Sequence, residues 1–190
     1  HYASLRGKIT LSGNAPSNPT LKVDKDLAIC KPGGSPVIDQ VVITGGDGSL
    51  ANVLVYAEVP LDWVHESQKG NTDTVDFDQK NCLFLNRIFP MQTTQTLRIL
   101  NSDSVGHNAA MKPSKNPEYN PNIAGGGEAI YPPGGGSLRQ EKAPFPVNCA
   151  AHPWMQSYII FRENGYYDVT ADDGQFELSQ LPAGVPIKIT

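Results

Sequence analysis

Seven residues, Cys149-Ala150-Ala151-His152-Pro153-Trp154-Met155, constrain this 190-residue chain more than any other stretch. A thiol, an imidazole and a thioether follow one another at intervals of three. A tight loop between two strands can turn all three side chains toward one point. Sulfur with imidazole is a soft donor set, which suits copper better than hard cations. A copper centre of two His, one Cys and a weak axial Met needs one more imidazole. The obvious source is His107, upstream in Asn101-Ser102-Asp103-Ser104-Val105-Gly106-His107-Asn108.

The upstream His107-Asn108 and the downstream Cys-x-x-His-Pro-Trp-Met together resemble the cupredoxin, or plastocyanin-like, family. The nearest variant is the group of exported bacterial proteins with a "CxxHPWM" loop. Asp78-Gln79-Lys80-Asn81-Cys82 and Val169-Thr170-Ala171-Asp172-Asp173-Gly174-Gln175-Phe176 are similar to the same group. The His152-to-Met155 spacing is shorter than in plastocyanin itself. The resemblance implies an all-β Greek-key β-sandwich with additional β-strands from the termini. It implies a type 1 (blue) site holding one copper ion that cycles between Cu(I) and Cu(II). The ligands it implies are His107, Cys149, His152 and Met155, with Cys149 bound as thiolate and Met155 more distant. It gives Asn108 a hydrogen bond across to the Cys149 loop. Pro153 stiffens the turn and Trp154 shields the site. His152 is expected at the exposed edge, as the exit point for the electron.

Three cysteines leave one unpaired. With Cys149 assigned to a metal, Cys30 and Cys82 are the natural disulfide pair. Two free, buried cysteines are the alternative. A disulfide places the chain in an oxidising compartment, so the expected location is periplasmic or extracellular. No leader is visible ahead of His1. The net charge of −4, without a long run of one sign, argues against a nucleic-acid partner. No apolar run reaches the roughly 18–20 residues of a membrane-spanning helix.

Eighteen glycines and sixteen prolines, many clustered, suit a turn-rich β protein. Residues 5–11 alternate apolar and polar, which predicts a half-buried strand. Residues 17–36 read as loop pinned by Cys30. The β-branched run Val41-Val42-Ile43-Thr44 and residues 51–59 predict a hairpin across Gly45-Gly46-Asp47-Gly48. Residues 83–90 and 96–101 are further strands, the second with Leu97, Ile99 and Asn101 on one side. Residues 112–142 form a long Gly/Pro-rich stretch in which Glu128–Tyr131 is the one candidate strand. No helix of convincing length is predicted.

The tail reads Tyr167-Asp168-Val169-Thr170, Asp172-Asp173-Gly174, Phe176-Glu177-Leu178, Leu181-Pro182-Ala183-Gly184. It is similar to the edge hairpins of carboxypeptidase regulatory-like β-sandwich repeats. Residues 1–163 are therefore expected to form a cupredoxin-like domain with N-terminal strands. Residues 164–190 form a companion β segment packed on strands 5–11 and 51–59.

The expected function is copper-based electron transfer with a redox protein partner, and not catalysis. A copper carrier or storage protein shares the ligands. A non-catalytic β-sandwich binding module is the reading without electron transfer. A different metal, an empty degenerate site or a metal-free core cluster are the alternatives at the site itself. A Cys-x-x-His alone is a weak signal, and zinc rarely accepts a thioether. A histidine brace at His1 would need a second imidazole, and His65 is the one left over.

Overall fold

The computed structural model describes residues 1–190. Strand β1 (Tyr2–Lys8) opens the chain; a long excursion with one helical turn, α1 (Leu27–Cys30), leads to β2 (Leu54–Glu58). Strands β3 (Thr74–Lys80), β4 (Leu83–Phe84), β5 (Ile88–Gln92) and β6 (Thr96–Asn101) follow closely. The middle of the chain contributes β7 (His107–Asn108), β8 (Ala110–Met111), β9 (Asn122–Ile123) and β10 (Glu128–Tyr131). Strands β11 (Phe145–Asn148) and β12 (Gln156–Arg162) flank the Cys149–Met155 loop. The chain closes with β13 (Tyr167–Val169), β14 (Gln175–Pro182) and β15 (Lys188–Ile189).

Two four-stranded sheets, in the orders β10-β6-β3-β4 and β5-β12-β11-β8, make an all-β sandwich. β3 and β6 are parallel neighbours, because the chain visits the other sheet through β5 between them. Alternation drives the packing. Along β6, Leu97, Ile99 and Asn101 are buried and Thr96, Arg98 and Leu100 are less so. Phe77, Leu97 and Ile99 of the first sheet meet Met91, Val147, Ile159 and Phe161 of the second in one core. Apolar area removed from water stabilises such a core at roughly 25 cal/mol per Å².

A smaller core of Val55, Ala57, Val59, Val64, Tyr166, Leu178 and Leu181 lies to one side. It is built where β14 pairs with β1 and where β13 and β15 flank β2. No helix is long and apolar enough to cross a membrane.

Three expectations need correction. Residues 83–90 are not one strand: the chain pairs with β3 as β4, then crosses to the other sheet and pairs with β12 as β5. Val41–Thr44 is not a strand; only Thr44 makes a bridge, to Leu50. The Asn18 side chain takes both the N–H and the C=O of Val42, at 3.0 and 2.6 Å, so those groups are lost to a ladder. The first strand starts earlier than the alternation suggests, and Leu5 is exposed rather than facing a core. Its partner β14 supplies backbone bonds, and the apolar face begins only at Ile9, which packs on the smaller core.

Cys30 and Cys82 form a disulfide across 52 residues, with Cα atoms 4.8 Å apart. The bond fastens α1 and the polar stretch before it onto the β3–β4 turn. Cys149 remains a free, buried thiol.

Candidate metal centre

β11 and β12 pair antiparallel, with Asn148 opposite Gln156, so residues 149–155 are a hairpin loop. The Met155 N–H donates to the His152 carbonyl at 2.9 Å, and the Cys149 N–H to the Met155 carbonyl at 3.3 Å. Asn108 reaches across from β7. Its Oδ1 accepts from the Ala150 N–H at 2.7 Å and lies 3.4 Å from Cys149 Sγ. One amide thereby holds the upstream and downstream segments in register.

His107 is delivered by β6. Asn101, at the end of that strand, donates to the carbonyls of Val105, Ile123 and Ala124. That fixes the turn through Asp103. Gly125 packs so closely there that a Cβ would lie 2.5 Å from the Ser104 carbonyl. β7 is paired with β9, so the 112–142 stretch lies against His107.

The ligand atoms of His107, Cys149 and His152 all lie within 4.8 Å of one another. The two Nδ1 atoms are 2.9 Å apart, and His152 Nδ1 is 3.9 Å from Cys149 Sγ. Met155 is fully buried at the end of the same loop. Pro153 is exposed. Trp154 is partly buried, its ring edge-on to His152 at 5.2 Å and its N–H donating to the Cys82 carbonyl at 3.1 Å.

Carboxylates fix the ring tautomers. His107 Nε2 sits 2.8 Å from Asp103 Oδ2, and His152 Nε2 sits 2.9 Å from Asp26 Oδ2. A carboxylate accepts only, so each Nε2 carries a hydrogen and donates it. In neutral rings both Nδ1 atoms are then bare lone pairs facing each other. Lone pairs at this distance need a shared proton or a cation between them. Burial pushes the Cys149 thiol up, but His107, the backbone N–H groups of Asn108 and His152, and the His152 ring outweigh it. The thiol is held down at about 6. Burial lowers His107, and Cys149 and Asp103 outweigh it, leaving the imidazole raised. Thiolate and imidazolium favour each other in the metal-free cluster. A soft cation offers the same charge to the same atoms, and the donor set fits copper.

His152 differs from the expectation of an exposed edge. It is 1% exposed. Asp26 covers its Nε2, and the disulfide holds the segment carrying Asp26 in place. Neither carboxylate is among the residues expected from the sequence. Asp103 stands four residues before His107 in the same loop, a usable signal. Asp26 is 126 positions from His152 and has none beyond its nearness to Cys30. Asp103 does more than orient a ring: it accepts from the N–H groups of Asn81 and Cys82, at 2.7 and 2.8 Å. His65 lies elsewhere, its Nδ1 capping a short turn by accepting from the Ser67 N–H.

No family model matches the sequence, and no curated protein matches it. Several solved structures are similar in part. A Cu-containing nitrite reductase from Thermus scotoductus is 16% identical over 47% of this chain, with a TM-score of 0.40; the chain spans only 22% of its length. Amicyanin from Paracoccus versutus is 17% identical, covering 55% of this chain and 86% of its own, with a TM-score of 0.38. A purple cupredoxin from Nitrosopumilus maritimus is 16% identical, covering 47% of this chain and 99% of its own, with a TM-score of 0.36.

Proposed function

We propose that this chain is a copper-binding electron-transfer protein of the cupredoxin kind, with one ion held by His107, Cys149, His152 and Met155. One observation carries the reading. Two carboxylate-held imidazoles turn their Nδ1 atoms toward each other beside a buried thiol of lowered pKa. A proton on His107 Nδ1 can bridge the two rings in the metal-free protein, and a soft cation would take its place between the same two nitrogens and the sulfur. Copper held there would supply a one-electron couple between Cu(I) and Cu(II).

The chain's own residues do the rest. Asp103 and Asp26 keep Nε2–H donated outward, so Nδ1 stays free to bind. Asn108 restrains the Cys149 loop through the Ala150 N–H. Trp154, and the disulfide beside His152, keep water from the imidazole. Rigid strands on both sides of the loop limit atomic movement when the charge of the site changes. Burial of both imidazoles makes exchange of the ion slow, which favours an electron carrier over a copper carrier. We assign no catalytic role. A periplasmic or extracellular setting and a redox protein partner accompany this reading, as does the division into residues 1–163 and a companion segment 164–190.

The test is addition of Cu(II) to metal-free protein. One equivalent binds and produces an intense visible charge-transfer band, which Cys149→Ser abolishes. A band of equal intensity in Cys149→Ser overturns the assignment.

A further inference from the structure

Arg162 ends β12 and lies between the two cores. Its guanidinium stacks on the ring of Tyr56 in β2, with Cζ 4.1 Å from the ring centroid. The residue is only 4% exposed. A buried arginine is ordinarily paired with a carboxylate or carbonyl, because an uncompensated buried charge is strongly destabilising. This one forms no ion pair and no side-chain hydrogen bond within the protein, and its nitrogens keep contact with solvent, since Gln79 Oε1 is the one fully buried side-chain atom left without a partner. Glu58 and Glu163 act on it through charge alone, while burial works against its charge.

Arg162 lines an open cleft of about 550 Å³ together with Glu58, Gln140, Lys142, Glu163 and Asn164. Asn164 is buried too; its Oδ1 accepts from the Tyr166 N–H, while its Nδ2 has no acceptor in the protein. Gln140 is committed by its Oε1 to the Glu163 N–H at 3.0 Å. Glu58 is committed to Lys188 at 2.9 Å. Solvent-accessible donors without acceptors in the protein therefore line a space large enough for an organic molecule.

We propose that this cavity binds a small organic monocarboxylate, its two oxygens on the Arg162 fork, with Lys142 at the rim and the Asn164 amide as an additional donor. The planar guanidinium matches a carboxylate through two parallel N–H···O bonds. Charge limits the class. With Glu58 held by Lys188, the lining leaves one positive charge in excess, enough for one anionic group. Unpaired Glu163 at the mouth repels a dianion or a polyphosphate. The site shares no side chain with the His107–Cys149–His152 cluster, so it stands or falls independently of copper.

The test is titration of the full chain with sodium propionate at fixed ionic strength. The Arg162 Nε–Hε and Asn164 Nδ2 resonances are followed by NMR, with chloride and phosphate in parallel. The Arg162 resonance shifts with saturation in propionate alone. Arg162→Gln weakens binding about ten-fold or more, as expected for a lost charge-assisted bidentate contact. Lys142→Gln, an exposed substitution, weakens it less. A linear shift shared with chloride, tighter saturation by phosphate, or unchanged affinity in Arg162→Gln overturns the proposal. If Arg162→Gln does not fold, the wild-type Arg162 resonance and Lys142→Gln still separate a bound carboxylate from an empty cavity.

Discussion

Asp26 and Asp103 do the same chemical task from opposite directions. Each accepts the Nε2 hydrogen of one imidazole, and each adds electron density to the ring that its Nδ1 can pass to a cation. Asp26→Asn keeps a hydrogen-bond acceptor and removes the charge. It should lower copper affinity by about ten-fold or more. It should also raise the midpoint potential, because the oxidised ion gains more from a negative neighbour than the reduced one. Competition with a chelator and a redox titration measure the two effects. Cys149 gives a second prediction at this scale. Its thiol ionises at about 6 when folded, against a reference of 9.0. The unfolded chain therefore holds this proton over a range where the folded chain does not. The stabilisation is complete above about 9 and is lost as the pH falls through about 6. His107, raised above 6.5, acts in the opposite sense: its share is complete below 6.5 and is lost as pH rises through its folded pKa. In metal-free protein, the ultraviolet absorbance of the thiolate should rise with a midpoint close to pH 6 and be missing from Cys149→Ser. A midpoint near 9 would remove the thiolate from the account.

At the scale of elements, what could be read in advance was what lies close in the chain. Cys149, His152 and Met155 share one hairpin loop, and local spacing places them together. His107 was legible because β6 alternates cleanly and leads into its loop. Glu128–Tyr131 emerged from a Gly/Pro-rich stretch because four residues of strand pattern suffice when β6 is there to pair with. Val41–Thr44 has better β-propensity and is no strand, since Asn18, distant in sequence, takes its backbone groups. Asp26 was illegible for the same reason: tertiary placement alone brings it to His152. That placement depends on α1, a helical turn of four residues with no side-chain cap. So short a turn is not stable by itself. The Cys30–Cys82 bond holds it, and closing that loop is worth roughly 4 kcal/mol in the chain-entropy model. Replacing both cysteines by Ala should lower the melting temperature by about 8–16 °C at this chain length. It should also speed loss of copper to a chelator, because Asp26 is then free to leave His152. A lowered melting temperature with unchanged release would show that α1 stays in place without the crosslink.

For the whole molecule, the question is whether two cores behave as one. The larger core contains Cys149 and Met155; the smaller one contains no residue of the cluster. They are joined through β12, whose last residue, Arg162, stacks on Tyr56 of β2. β12 runs from the metal loop to Arg162 without a break, so loosening the smaller core pulls on a strand that also forms the site. Leu178 is buried in the smaller core, away from every proposed ligand. Leu178→Ala should cost about 2–5 kcal/mol through lost burial and a cavity. The visible band of the copper-loaded protein should keep its position, since no ligand moves. On heating, that band and the far-UV circular dichroism should disappear together at a lower temperature than in the parent. Separate transitions, with early loss of strand signal and a band persisting to the parent's melting temperature, would mean that β12 does not couple the cores. The smaller core would then be an independently melting attachment, and the Arg162 cavity would open before the metal loop does.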